Sequence, residues 1–198
     1  MYYLRSVYKP VTETLPEKDL HKILKGCRKN RRDDQVALYK LYYGYAMSIG
    51  LRYAQSRVEA EEIVNDGFLK LMQRLNQFDE ALEFKPWLRR IMVNTAIDHY
   101  RRNHKHHHNL SIVDAHEVQV SEDVLDALSA EEIIACVQQL PPAYKLVFNL
   151  YAIEGFKHHE IATELGISEG TSKSNFAKAR KKLQTMIHDN HGERKSYG

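Results

Sequence analysis

The chain has 198 residues, of which 43% are hydrophobic and 28% charged, with a formal net charge of +3 and an isoelectric point near 8.7. That apolar content excludes a disordered chain and suffices for one large or two small cores, while the mild basicity excludes strong global attraction to nucleic acid. No apolar run approaches a membrane span and the N-terminus lacks the apolar stretch of a secretory signal, so a cytoplasmic chain with no membrane insertion of its own is expected.

Strict apolar/polar alternation is rare along the chain, which predicts an all-α fold. Cys27 and Cys136 stand far apart with no CxxC partner. They indicate neither a disulfide scaffold nor a thiolate zinc site, and read as buried or idle thiols.

The first informative element spans Val58 to Leu75. Ile63, Val64, Gly67, Phe68, Leu71, Met72 and Leu75 recur at the spacing of one helical face and predict an inward side. On the opposite side Glu62, Asp66, Leu69 and Gln73 gather, an apolar residue ringed by acids and an amide. Two readings stand for this face: a docking site, or a solvated surface with a stray leucine.

A loop from Asn76 to Glu83 follows, and its Phe78 is a candidate to hold an extruded base. Pro86, tolerated in a first turn, opens a helix from Phe84 to Asn103. Projection places Trp87, Arg90, Asn94, Asp98 and Arg101 on one stripe, with Leu88, Met92, Ala96 and Tyr100 turned toward a core. Guanidinium groups meet phosphates, amides read base edges and aromatic faces stack on unpaired bases, so the stripe suits a nucleic-acid strand. Trp87 also suits a core anchor, because its ring buries so much apolar area.

His104, His106, His107 and His108 cluster beyond this helix at a spacing poor for one helical face. A partly solvated basic linker fits them better than a metal site, and no metal or other cofactor is expected. From Ser111 to Glu132 the chain has no Lys or Arg, only acids such as Asp114, Glu117, Glu122 and Asp126. The sign change marks a flexible acidic linker at about 105–128 between two small helical domains, 1–104 and 129–190, with a polar, frayed tail at 191–198.

Past the linker, Glu160 to Ser174 reads as a helix, a glycine turn and a second helix. Ile161, Ala162 and Leu165 keep helical spacing, Gly166 makes the corner, and Ser168 is placed to accept the free N–H groups opening the next helix. The second helix offers Thr171, Lys173, Ser174 and Lys178 to a groove. Lys173, Lys178, Arg180, Lys181 and Lys182 project in several directions and cannot all read bases, so most of them would grip phosphates, while Thr171, Lys173, Ser174 and Asn175 near the helix start are better placed for base edges. Phe176 is expected to face the core of this motif.

These residues form a set. Ala60 to Leu71, then Phe84 to Ile91 with Asn94 and Asp98 to Arg102, resemble region 2 of the sigma-70 family; Leu140-Pro141-Pro142, Glu160-Ile161-Ala162 and Gly170 to Ser174 leading to Ala179 to Leu183 resemble region 4. Two such regions joined directly by a linker are similar to the extracytoplasmic-function group. The resemblance implies a non-catalytic transcription initiation factor that binds core RNA polymerase and promoter DNA, with an anti-sigma factor as regulator. It implies that Glu62, Asp66, Leu69 and Gln73 bind the polymerase clamp coiled coil. Phe78, Trp87, Arg90, Asn94, Asp98, Arg101 and Arg102 would open the −10 element. Thr171, Ser172, Lys173, Ser174, Asn175, Lys178, Arg180 and Lys181 would read the −35 element.

The chain carries no GxxxxGK[ST] motif, so strand opening has to be driven by binding energy. A helix-turn-helix regulator with a sensing domain explains the C-terminal half but leaves the docking face and the Asn/Asp/Arg stripe without a role. A His-rich metal-dependent nuclease lacks the paired carboxylates at ligand spacing that its chemistry needs.

Overall fold

The computed structural model describes residues 17–103 and 135–195, and every regular element among them is helical, as expected of an all-α chain. The chain divides into two compact units parted after Arg102. The acidic segment, His104 and the His106–His108 cluster lie outside the described residues.

In the first unit α1 covers Glu17–Arg28, α2 Arg32–Tyr53, α3 Arg57–Arg74 and α4 Phe84–Asn103, with a 3-10 turn at Leu75–Gln77. Side chains cap the start of helix α3. Ser56 Oγ accepts the Glu59 N–H at 3.2 Å, and the Glu59 carboxylate accepts the Gln55 N–H at 2.6 Å. The apolar face reads as anticipated, with Ile63, Val64, Phe68, Leu71 and Leu75 all buried beside Leu38, Leu88, Met92 and Ile97, while Met72 is only partly covered.

Gly67 has a specific reason to be small. A Cβ there would lie 2.8 Å from Met92 Cε, so the bare backbone of α3 is what admits the buried Met92 side chain of α4. Helix α1 fastens the segment after α3: Arg28 donates from Nε to the Leu75 carbonyl at 3.4 Å and from a terminal nitrogen to the Phe78 carbonyl at 3.1 Å, and it also pairs with Glu80.

The second unit contains α5 Pro142–Phe148, a π-helical turn Asn149–Glu154, α6 His158–Leu165 and α7 Glu169–Lys195. Pro142 sits in the first turn of α5, where its missing N–H costs nothing. The Glu160 carboxylate accepts the Lys157 N–H at 2.6 Å and closes the start of α6. Gly166 then turns the chain at φ 65°, the left-handed region that favours glycine, and Ser168 Oγ accepts the Thr171 N–H at 3.0 Å to open α7.

The helix-turn-helix is therefore built from the capping chemistry its sequence contains. Leu146, Val147, Phe148, Leu150, Ile161, Phe176, Ala179 and Leu183 form the core. Helix α7 continues to Lys195, five residues past the domain boundary anticipated at 190.

Candidate docking and nucleic-acid interfaces

The four residues expected to dock share one outward side of α3. Glu62, Leu69 and Gln73 are exposed, Leu69 at 63%, and Asp66 is partly buried. Leu69 is thus a large apolar side chain held in water by a helix whose other face buries Ile63, Val64, Phe68 and Leu71. Around it, α4 reaches across with charge. Arg102 pairs with Asp66 at 2.8 Å, Lys70 with Asp98 at 2.8 Å, and His99, 6% exposed, sets Nδ1 3.3 Å from Glu59 and Nε2 3.5 Å from Glu62. His99 was missed in the sequence because a histidine between apolar positions of a helix gives no sign of which partners the neighbouring helix supplies.

The stripe on α4 is real as a surface. Arg90 and Asn94 are exposed, and Trp87, Asp98 and Arg101 are partly buried on the same side. Leu88, Met92 and Ala96 are buried opposite, and Tyr100 is half-buried, with burial raising its phenol above the ordinary value. Asp98 is neutralised by Lys70 and, at 3.4 Å, by Arg101, so the net field of the stripe is cationic. Trp87 meets both of its readings at once: its ring lies 4.9 Å from Phe78 and 5.8 Å from Phe84, yet part of it remains accessible.

Phe78 requires correction. It is 6% exposed and packs edge-on to Phe84 at 5.4 Å as well as against Trp87, so its ring belongs to the core rather than to an open surface. Its loop instead exposes Leu82, at 63%. Position in a polar loop suggested exposure; the aromatic pair on α4 draws the ring inward.

On α7, Lys173 and Lys181 are exposed, and Thr171, Ser174, Lys178 and Arg180 are partly so. Arg180 lies over the Phe176 ring at 5.9 Å, and Phe176 itself is buried as anticipated. Ser172 and Asn175 are corrected. Ser172 is 0% and Asn175 8% exposed, so both side chains face inward rather than toward a groove. They stand with Phe176, Ala179 and Leu183 at the three-, four- and seven-residue intervals of one inward face, a spacing that could have identified them.

Ser172 Oγ is 2.9 Å from His158 Nδ1, and the imidazole stacks on Tyr151 at 4.3 Å. Burial, and then the charge of Lys173, hold His158 below its ordinary value of 6.5. A histidine depressed in this way binds fewer protons folded than unfolded, so its contribution to stability is complete above pH 6.5 and declines as pH falls. Thermal denaturation between about pH 7.5 and pH 5 should therefore show a smaller acid-induced drop in Tm for His158→Gln than for the parent; equal drops would remove His158 from the pH response.

Cys27 and Cys136 are both buried and free, and burial followed by the nearby Asp34 charge pushes the Cys27 thiol up to about 11. Among the described residues no His, Cys, Asp and Glu cluster is placed to hold a metal ion. No described helix is long and apolar enough to cross a membrane.

Comparison with known proteins finds two family regions in the chain. Residues 38–106 match the family described as Sigma-70 region 2, and residues 130–183 the one described as Sigma-70, region 4. The chain is 27% identical over 170 residues to the RNA polymerase sigma factor NccH of Alcaligenes xylosoxydans xylosoxydans, covering 81% of this chain and 91% of that one. It is 24% identical over 182 residues to the ECF RNA polymerase sigma factor SigW of Bacillus subtilis, covering 86% and 97%. Among solved structures it is similar to CnrH in complex with the cytosolic domain of CnrY, at 19% identity and a TM-score of 0.43, over 84% of this chain and 96% of that one. With both regions present in order and together spanning most of its length, the chain belongs to the sigma-70 family, in its extracytoplasmic-function group, and is a transcription initiation factor.

Proposed function

We propose that this factor divides its work between two faces of its first unit and one helix of its second. The outward face of α3, with Glu62, Asp66 and Gln73 around Leu69, docks on the clamp coiled coil of core RNA polymerase. The accessible side of α4, with Trp87, Arg90, Asn94, Asp98, Arg101 and Arg102, follows the non-template strand of the −10 element. Thr171, Lys173 and Ser174 read base edges of the −35 element, while Lys178, Arg180 and Lys181 hold phosphates. The observation that carries the docking role is Leu69, 63% exposed in the middle of a helix whose other exposed large apolar side chain, Val58, lies in its first turn.

Each extruded base costs a few kcal/mol, and stacking and hydrogen bonding return about 1–3 kcal/mol per base. The balance favours opening only on a pocket already anchored to polymerase, so the free protein melts promoters poorly. Nothing in this scheme asks the protein to make or break a covalent bond, and it acts as a non-catalytic specificity subunit in the cytoplasm. The domains are region 2 within 1–104 and region 4 within 129–190, joined by the acidic linker at 105–128. An anti-sigma factor that covers the docking face would silence it by competition.

Transcription with purified core polymerase on a genomic promoter library tests the proposal. Start-site selection that appears only when the factor is added is the expected result; core polymerase that neither binds the factor nor changes its start sites would refute it.

A further inference from the structure

The first two turns of α7 expose Glu169, Gly170 and Lys173 to solvent. Two of these residues are unexpected on a helix that enters the major groove. Duplex DNA carries one phosphate charge for about every 1.7 Å of its axis, so a carboxylate there opposes binding unless a donor meets it. Gly170 is also a poorer helix former than alanine.

Nothing inside the protein asks for that glycine. Among the described residues the only glycines with positive φ are Gly155 and Gly166. A Cβ at position 170 would meet only Ser168 Oγ, at an ordinary 3.7 Å. What the missing side chain leaves open is the outward approach to the first turn, as a backbone seated closely against a ligand requires.

Glu169 is prepared to act as an acceptor. Its Oε1 lies 2.8 Å from Lys173 Nζ, and the hydrogen bond and charge of Lys173 hold its carboxyl below the ordinary value. An ionised carboxylate accepts and cannot donate. In the major groove only cytosine N4 and adenine N6 donate, and adenine sets its N7 acceptor directly beside that amine, where it repels a carboxylate. Cytosine is the base left. Its guanine partner presents O6 and N7, both acceptors, which match the ammonium of Lys173.

We infer that Glu169 is a specificity-determining residue of this factor, accepting a hydrogen bond from the exocyclic amine of a cytosine in the −35 element while Gly170 lets the first turn sit close enough to reach it. The inference rests on α7 being the −35 recognition helix. The carboxylate discriminates in both directions: it rewards one amine and repels phosphates and acceptor-only base edges everywhere else.

Transcription by the holoenzyme on a library randomised across the −35 element provides the test. The unaltered factor should select cytosine at one position. Glu169→Ala should relax that position alone, losing about tenfold discrimination, and should bind non-cognate duplexes more tightly through the charge removed. Glu169→Gln should move the preference at that position to adenine, because a side-chain amide pairs with adenine N6 and N7.

Equal losses on every −35 sequence would mean that Glu169 only supports the start of the helix, and unchanged preferences in both variants would likewise overturn the assignment. These outcomes are distinct from failure of the functional reading, in which the unaltered factor would select no promoters at all.

Discussion

Phe78→Ala is expected to destabilise the first unit by about 3–5 kcal/mol, the usual cost of emptying a buried phenylalanine site. Domains of this kind are stable by roughly 5–15 kcal/mol, so the loss is a large share of the total. The ring is 6% exposed between Phe84 and Trp87, with its own carbonyl held by Arg28. Trp87 is the only tryptophan in the chain. Its fluorescence during urea unfolding therefore reports this unit alone.

Phe78→Leu, which keeps most of the apolar volume, should recover much of the midpoint and of the promoter opening together. A Phe78→Ala protein that unfolds at the parent urea concentration but no longer opens promoters would show that the ring acts on DNA after all.

Leu69→Asp is expected to do the reverse: abolish function and leave the fold intact. The side chain is 63% exposed, and surface changes away from packing usually move stability by no more than about 0.5 kcal/mol. A central anchor that acts as a hot spot is worth 2 kcal/mol or more, about 30-fold in affinity. The aspartate also adds a third carboxylate beside Glu62 and Asp66, of which Asp66 is already paired with Arg102. Competition for core polymerase against the unaltered factor should show that loss while the unfolding midpoint stays put. Unimpaired competition would move the docking surface elsewhere on the molecule.

These two residues mark where sequence reading succeeds and where it stops. Leu69 could be placed because α3 is long and regular, and periodicity alone puts it opposite Ile63, Leu71 and Leu75. Phe78 could not, since a residue outside a helix has no period and its burial depends on Phe84 and Trp87 of α4. Ser172 and Asn175 are an intermediate case. Their inward spacing was available, yet their polar chemistry and their place on a recognition helix suggested a base contact. In the folded unit Ser172 meets His158 instead.

The ion pairs across α3 and α4 were not legible at all. Asp66 and Arg102 are separated by 36 residues, and nothing local to either one names the other.

What the sequence determined by itself is whatever depends on short-range chemistry: the helical class, the cap at Ser168, the left-handed turn at Gly166, the outward side of α3 and the order of the two family regions. Capping bonds and helical periodicity act over three or four residues, so a single chain displays them directly. Only the tertiary structure decided that Phe78, Ser172 and Asn175 are core, that His99 lies between two carboxylates, and that Asp66 is tied to Arg102. Burial and charge pairing are set by whichever distant element arrives alongside, and that depends on how whole helices pack.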